Sequence, residues 1–315
     1  MTLKTLCYFL VRRALVCAVT ILLIATVTFA LMKLAPGDPF QDEKGVPAEC
    51  LAQLRHFYGL DDPLPVQYMR YLKSIFSFQF GPSLKYPSQT VNEIILQSFP
   101  ISLLLGLEAL FVSIPCGMIM GILSSVRHHK IEDSMSSLVA VIGLSVPSFV
   151  IASTLQFTFA FYFPLFPVAR WGTFSHTVLP ALALALGPAS MISRLLRASI
   201  LEIKNQPYIH MARTKGLASP HIFSFHILKN SCLPILSYLG PVATNILVGS
   251  FIVERVFAIP GLGQWFVNSV MNRDYPVIGG LTLFYSLLLL GIHTLIDLIN
   301  SCLDPRINIQ EHSVC

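Results

Sequence analysis

LEIKNQPYIHMARTKGLASPHIFSFHILKN, residues 201–230, is a polar, basic stretch set between two long apolar runs. Its punctuation is that of a helical hairpin. Pro207 suits the first turn of a helix, where a missing N–H costs nothing. Gly216 follows where a helix end wants a residue free to adopt φ > 0. Ser219-Pro220 reads as N-cap and first position of a second helix. Leu233-Pro234 closes the unit. Ala212 and Gly216 lie four apart, on one face and without bulk, so that another backbone or a large side chain can approach. Tyr208, Met211 and Leu217 flank that face. Two readings stay open: a docking element for another protein, or a solvated loop that joins two spans.

Composition places the chain in a bilayer. Hydrophobic residues make up 54% and charged residues 12% of the 315. An average soluble domain carries roughly twice that charge, so this chain cannot cover itself with polar surface. The net charge is +5, but the Lys and Arg form no basic stripe and report loop orientation rather than nucleic-acid binding. The seven cysteines include no C-x-x-C pair, so neither metal nor redox chemistry is assigned.

Residues 14–32 run without a charge, enough for the ~20 apolar residues that cross ~30 Å of hydrocarbon. They read as an uncleaved first span with the N-terminus inside. Residues 33–97 form the one long polar region, rich in Pro and Gly. Within it, 66–80 is either an amphipathic helix at the interface or a loosely folded loop. The second span is 98–126, with Glu108 its only charge. An ionisable group inside a span usually faces the bundle interior, so Glu108 is either on the substrate path or a structural carboxylate. Next comes the charged loop 127–133. Its adjacent His128 and His129 point to opposite sides of any regular element, which argues against a metal site. The uncharged run 134–169 is too long for one straight span; Pro147 kinks it and Pro164 ends it, with an aromatic belt at 161–171. A fourth span starts at 180 and continues into the hairpin. A fifth covers 230–253. An outer loop follows over 254–274, with Gly261-Leu262-Gly263 as a turn, and then a sixth span at 275–296. The organisation is thus 1–97, a span plus an extracytoplasmic segment; 98–303, a helical core carrying the 201–230 loop; and 304–315, a polar tail.

Charge bookkeeping supports that topology. Arg194, Arg197, Lys204, Arg213, Lys215 and Lys229 lie in or beside one loop, whereas the short loops on the other side carry only Arg170, Arg255 and Arg273. That asymmetry places the hairpin and both termini in the cytoplasm.

The chemistry that is missing also informs. There is no G-x-x-x-x-G-K-[ST], H-E-x-x-H or G-x-S-x-G, and no nucleophile–base pairing, so an enzyme is not indicated. No inverted repeat announces a secondary transporter. An ion-coupled carrier would want several acidic or His side chains within spans, and here Glu108 stands nearly alone, with His293 and Asp297 near the end of the last span. If this is a transporter, its energy comes from another subunit, and 201–230 is the place to receive it.

Several stretches, in order along nearly the whole chain, carry a family resemblance: APGDP at 35–39, ARTKGL at 212–217 with Leu233-Pro234, LSYLGP at 236–241, IPGLGQ at 259–264, NRDY at 272–275 and DPR at 304–306. Together they resemble the oligopeptide/dipeptide branch of bacterial ABC-importer permeases, with ARTKGL similar to the loop that docks the ATPase. The pattern departs at His210, which takes the position of a glutamate, and at Met211, which takes that of an alanine. The resemblance implies an all-α, polytopic fold with six transmembrane helices (a type I importer permease) in the bacterial inner membrane. It implies a second homologous permease, two ATP-binding subunits that hold the ATP, and an extracytoplasmic peptide-binding protein. No cofactor is expected on this chain. Tyr208, Met211, Ala212, Arg213, Lys215, Gly216 and Leu217 are the implied coupling residues. Related importers of nickel or glutathione share much of the pattern.

Overall fold

The computed structural model describes residues 3–34, 53, 55–56, 58–247 and 250–303. The 35–39 and 304–306 stretches and the 304–315 tail lie outside those residues. In chain order the α-helices are α1 (Leu3–Leu34), α2 (Leu64–Ser77), α3 (Val91–Val126), α4 (Ile131–Ser145), α5 (Ser148–Leu155), α6 (Phe174–Lys204), α7 (Pro207–Thr214), α8 (Ser219–His221), α9 (Lys229–Ser231), α10 (Leu233–Leu247), α11 (Phe251–Val256), α12 (Leu262–Met271) and α13 (Tyr275–Leu303). π-helical turns continue α5 through Gln156–Tyr162 and join α8 to α9 through Ile222–Leu228.

Among the described residues, five stretches are long and apolar enough to cross a membrane: Val11–Leu34, Val91–Val126, Phe174–Ile203, Leu233–Val256 and Tyr275–Leu298. A sixth is reached when α4 and the helix Ser148–Tyr162, bent by 108° at Val146-Pro147, are counted together as one broken span. The expected kink at Pro147 is therefore nearly a right angle. The cause is local: proline cannot continue the α4 hydrogen-bond ladder and pushes Val146 into an extended conformation.

Two compact units divide the chain. The first joins Met1–Pro100 to Gly261–Thr294. Its α2 takes the helical one of the two alternatives for 66–80, starting two residues earlier, at Leu64, and ending at Ser77. Tyr68 and Tyr71 of α2 pack on Phe29 of α1 at ring-centroid distances of 5.3 and 5.8 Å. Burial pushes the Tyr71 hydroxyl up to about 12. Gly279 and Gly280 of α13 make room for this segment, since a Cβ would come within 2.8 Å of the Tyr71 ring and 2.5 Å of Val91. The polar segment is also tied down chemically. Buried Asp274 accepts hydrogen bonds from the Ser83 hydroxyl and from the Leu84 amide at 3.1 Å, while reaching the Val277 amide in the first turn of α13.

Three boundaries differ from the sequence reading here. The second membrane helix begins at Val91, not near 98, because Thr90 and Glu93 form a capping box: the Thr90 amide donates to the Glu93 carboxylate at 2.9 Å, and the Glu93 amide donates to the Thr90 hydroxyl at 3.3 Å. Gly261-Leu262-Gly263 is not a turn but the start of α12, with Gly261 as N-cap. Glu254 belongs to α11 rather than to an open loop.

The second unit, Ile101–Pro260 with Leu295–Cys315, is built around α6. This helix starts at Phe174, six residues before the expected 180, because Thr173 and His176 cap it. Gly117 and Gly121 of α3 lie against it; a Cβ on Gly117 would sit 2.6 Å from the Ala189 carbonyl oxygen, and one on Gly121 2.8 Å from that of Ser193. Spaced four apart, these glycines let two backbones approach as in membrane helix pairs with small-residue seams. Gly143 of α4 repeats the device against Leu186 and Ser190. Leu179, Ile192, Leu196 and Ile200 fill the interior along α6.

Two buried carboxylates complete this unit. Glu254 is 0% exposed and accepts from the Ser102 hydroxyl at 2.8 Å. Asp133, at the start of α4, accepts from Arg197 Nε at 2.8 Å and Nη2 at 2.9 Å, from His128 Nδ1 at 2.9 Å and from the His129 amide at 3.1 Å. The Ser124 hydroxyl donates as well. So many donors offset the cost of burying the charge and pin the 127–133 loop to α6. The two histidines do not diverge as the sequence reading expects. His129 adopts φ +64°, and the two rings lie side by side, centroids 3.8 Å apart and tilted by 34°. No group of three metal-ligating side chains exists among the described residues.

Candidate functional site

The hairpin is a short helix, a glycine turn and a second helical arm. Gln206 precedes α7 in an extended conformation and Pro207 takes its first position. Ile209 and Ala212 of α7 are buried against Ile192, Leu196, Ile200, Ile222, Ile227 and Ile235. The amphipathic spacing of 209 and 212 thus docks α7 on the membrane helices of its own chain. The helix ends in a paired reverse turn: the Gly216 amide donates to Arg213 O at 3.0 Å, and the Leu217 amide to Ala212 O at 3.4 Å. Gly216 stands at φ +78° with nothing within 4 Å of a Cβ placed there. Its glycine is required by conformation, not by space.

This geometry corrects the expected small face. Ala212 is 9% exposed and points into its own core, whereas Gly216 is exposed at the turn. Together they form no landing surface for a partner. The large side chains point outward instead: Met211 is 54% exposed, Leu217 41% and Tyr208 40%. Arg213 and Lys215 are exposed beside them, as is His210. On the second arm Phe225 is exposed and stacks on His221 at 4.7 Å.

The second arm differs from expectation in two ways. Its N-cap is Ala218, with Ser219 and Pro220 already helical and no side-chain cap. Leu233-Pro234 opens α10 instead of closing the arm, since proline is as suited to a first turn as to a stop. The π-helical turn at Ile222–Leu228 carries no signal in residue type. Asn230 links the arms by donating to the Tyr208 hydroxyl at 3.2 Å. The arrangement holds no nucleophile–base pair; it offers apolar side chains and positive charge on a frame held by its own core.

Glu108 lies elsewhere, midway along α3. Its residue is half-buried, and its Oε2 is buried without a hydrogen-bond partner among the described residues. The structure does not bring it to the hairpin. Sequence reasoning missed the buried Glu254 and the Asp133–Arg197 pair. For the latter, the two charges were visible but assigned to separate loops. The glycine seam could have been found from Gly-x-x-x-Gly at 117–121, and the start of α3 from Thr-x-x-Glu at 90–93.

Comparison with known proteins bears on the whole chain. The family model described as binding-protein-dependent transport system inner membrane component matches residues 113–309, and its N-terminal companion matches 6–106. The dipeptide transport system permease protein DppB of Bacillus subtilis (strain 168) is 43% identical over 303 residues, covering 96% of this chain and 98% of that protein. The oligopeptide transport system permease protein OppB of Escherichia coli (strain K12) is 36% identical over 301 residues, covering 95% and 98%. Among solved structures, an inward-facing form of the MetNI methionine ABC transporter superposes with a TM-score of 0.53 at 16% identity, covering 67% of this chain and 96% of that one. An amino acid ABC transporter gives 0.55 at 17%, covering 67% and 94%. At such identity the structural likeness speaks for the fold alone.

Proposed function

The chain belongs to the family of binding-protein-dependent transport system inner membrane components, and from that premise we propose that it forms half of the translocation pathway of an ATP-driven importer of dipeptides or oligopeptides in a bacterial inner membrane. A second, homologous permease supplies the other half. Two ATP-binding subunits hydrolyse the nucleotide, and an extracytoplasmic peptide-binding protein delivers the substrate. Both termini and the hairpin lie in the cytoplasm, in keeping with the concentration of Lys and Arg around 194–230. Glu108 lines or borders the path: a carboxylate oxygen unpaired inside a span needs a proton, a water or a group from another chain.

The observation that carries the coupling role is the outward display of Met211, Tyr208 and Leu217 on a hairpin whose inner face is sealed by Ile209 and Ala212. Apolar side chains on a rigid frame at the end of a membrane helix suit a groove on an ATPase. Arg213 and Lys215 add charge at the rim. The test is reconstitution in liposomes with and without the partner subunits. Uptake of a labelled dipeptide is expected only with the complete set, together with ATP hydrolysis stimulated by the loaded binding protein. Uptake by the single chain would overturn the proposal.

A further inference from the structure

The helix α2 turns its polar side inward. Gln67, Arg70, Tyr71 and Ser74 recur at helical spacing on one face and line a cavity of about 640 Å³ within the first unit. Their hydrogen bonds stay within the chain. Gln67 donates to the carbonyls of Leu60 at 2.9 Å and Asp62 at 2.6 Å. Arg70 donates to the Asp62 carboxylate at 2.6 Å, and the Ser74 hydroxyl to the Tyr71 carbonyl at 2.7 Å. The opposite face carries Met69, Leu72 and Phe76, spaced three and four apart. Met69 is 68% exposed and Phe76 78%. A helix on a water-facing surface would be turned the other way.

Depth accounts for the inversion. Tyr68 shares a hydrogen bond of 2.7 Å with the Thr26 hydroxyl, and Tyr68 and Tyr71 both pack on Phe29. Lys33 is the first charge after the uncharged run of α1. At the rise of a helix, Thr26 lies about 10 Å and Phe29 about 6 Å inward of it. Gly279, which Tyr71 overlies, is likewise about 6 Å along α13 from Tyr275. Both spans thus give one depth, that of interfacial helices resting between headgroups and acyl chains. With 14 residues α2 is about 21 Å long, yet its described ring and hydrogen-bond contacts with α1 fall on Thr26 and Phe29 alone. It lies across the spans rather than along them.

That depth decides what meets the outward face. A soluble protein does not reach it. A seam between membrane helices favours small residues, whereas Met69, Leu72 and Phe76 are large. Beside the contact with Thr26, Leu23, Val27 and Leu31 leave the neighbouring stripe of α1 exposed as well. Lys73, exposed at the edge of the apolar face, has a stem long enough to carry its charge up to the headgroups.

We propose that α2 is a lipid-contact element: it lies flat in the extracytoplasmic leaflet, with Met69, Leu72 and Phe76 among the acyl chains, and so moors the segment between the first two spans to the bilayer. The choice of leaflet rests on the orientation proposed above; the embedding does not.

The experiment places the photoreactive analogue p-benzoylphenylalanine at Phe76, at Met69 or, for comparison, at Ser88 in the exposed polar loop. The complete importer is reconstituted in liposomes of radiolabelled phosphatidylcholine and irradiated. Positions 76 and 69 are expected to take up several-fold more lipid label than position 88. Uptake no greater than at 88 in an assembled complex overturns the inference. So does a product at 76 joined chiefly to the second permease, which would assign this face to the contact between permeases, or to the binding protein, which would place it in water. A radiolabelled lysophospholipid added from the side opposite the ATPase subunits should label position 76 too. Labelling from the ATPase side alone overturns the leaflet assignment, and with it the orientation in the proposed function. A complex labelled as expected that imports no dipeptide would fail the proposed function and leave this inference standing.

Discussion

The contact of α3 with α6 and the 205–231 hairpin both depend on small residues, yet for opposite reasons. At the α3 seam, Gly117 and Gly121 are small because a neighbouring backbone occupies the place of a side chain. In the hairpin, Gly216 has empty space around it and is glycine because φ is +78°, while Ala212 is small because it fits beneath its own helix. A short residue can thus mean close packing, backbone conformation or burial. Only the surroundings separate the three, and a stripe of small residues is not by itself a docking face.

Substitutions should split the two regions. The largest effect is expected beside the seam, at the charge cluster that closes it. Asp133→Ala leaves the Arg197 guanidinium without its carboxylate and should cost about 3–5 kcal/mol, read as a sharp drop in thermal stability of the purified protein in detergent. Gly117→Val comes next. Its added atoms meet the Ala189 carbonyl, which cannot rotate away, and overpacking of this kind costs about 1–3 kcal/mol. Gly216→Val should cost roughly 1 kcal/mol in backbone strain, leave membrane insertion intact and reduce assembly with the ATPase subunits. If Gly216→Val proves as damaging as Gly117→Val, the distinction between spatial and conformational glycine fails. Smallest in stability is Met211→Asp, an exposed change expected to stay within about 0.5 kcal/mol while peptide uptake and stimulated ATP hydrolysis fall. Normal uptake by an assembled Met211→Asp complex would remove the outward face of α7 from the coupling mechanism. Ala212→Asp would not make the same point, because it puts a carboxylate into the isoleucine cluster and tests folding instead.

Much of the fold was legible because membrane spans announce themselves by length and lack of charge. The position of Pro207 and the glycine at the end of α7 were legible because their backbone demands are local. The beginnings of α3 and α6 were misplaced because hydrophobicity was allowed to outweigh the caps at Thr90 and Thr173. The hairpin's polarity was read inside out at Ala212, since spacing gives which residues share a face but not what the face meets. Met211 and Leu217 were singled out from spacing as flanking residues, whereas their exposure is a tertiary fact. The pairing of Asp133 with Arg197, 64 residues apart in sequence, has no local signature. The kink at Pro147 was legible from the proline, but its angle of 108° was not.

The π-helical turn at Ile222–Leu228 sets a tolerance to length. A π turn bonds each residue to the fifth before it instead of the fourth, so it carries one residue more than the α turn that could replace it. Removing one residue from 222–228 could therefore be absorbed by reversion to α-helix, leaving the buried faces of Ile209 before it and Ile235 after it in phase. Removing one residue from the α7 segment would have no such outlet: it would rotate Ala212 out of the isoleucine cluster and carry the exposed Met211 inward. Within one hairpin, then, the second arm can change its count and keep its shape, whereas the first arm cannot.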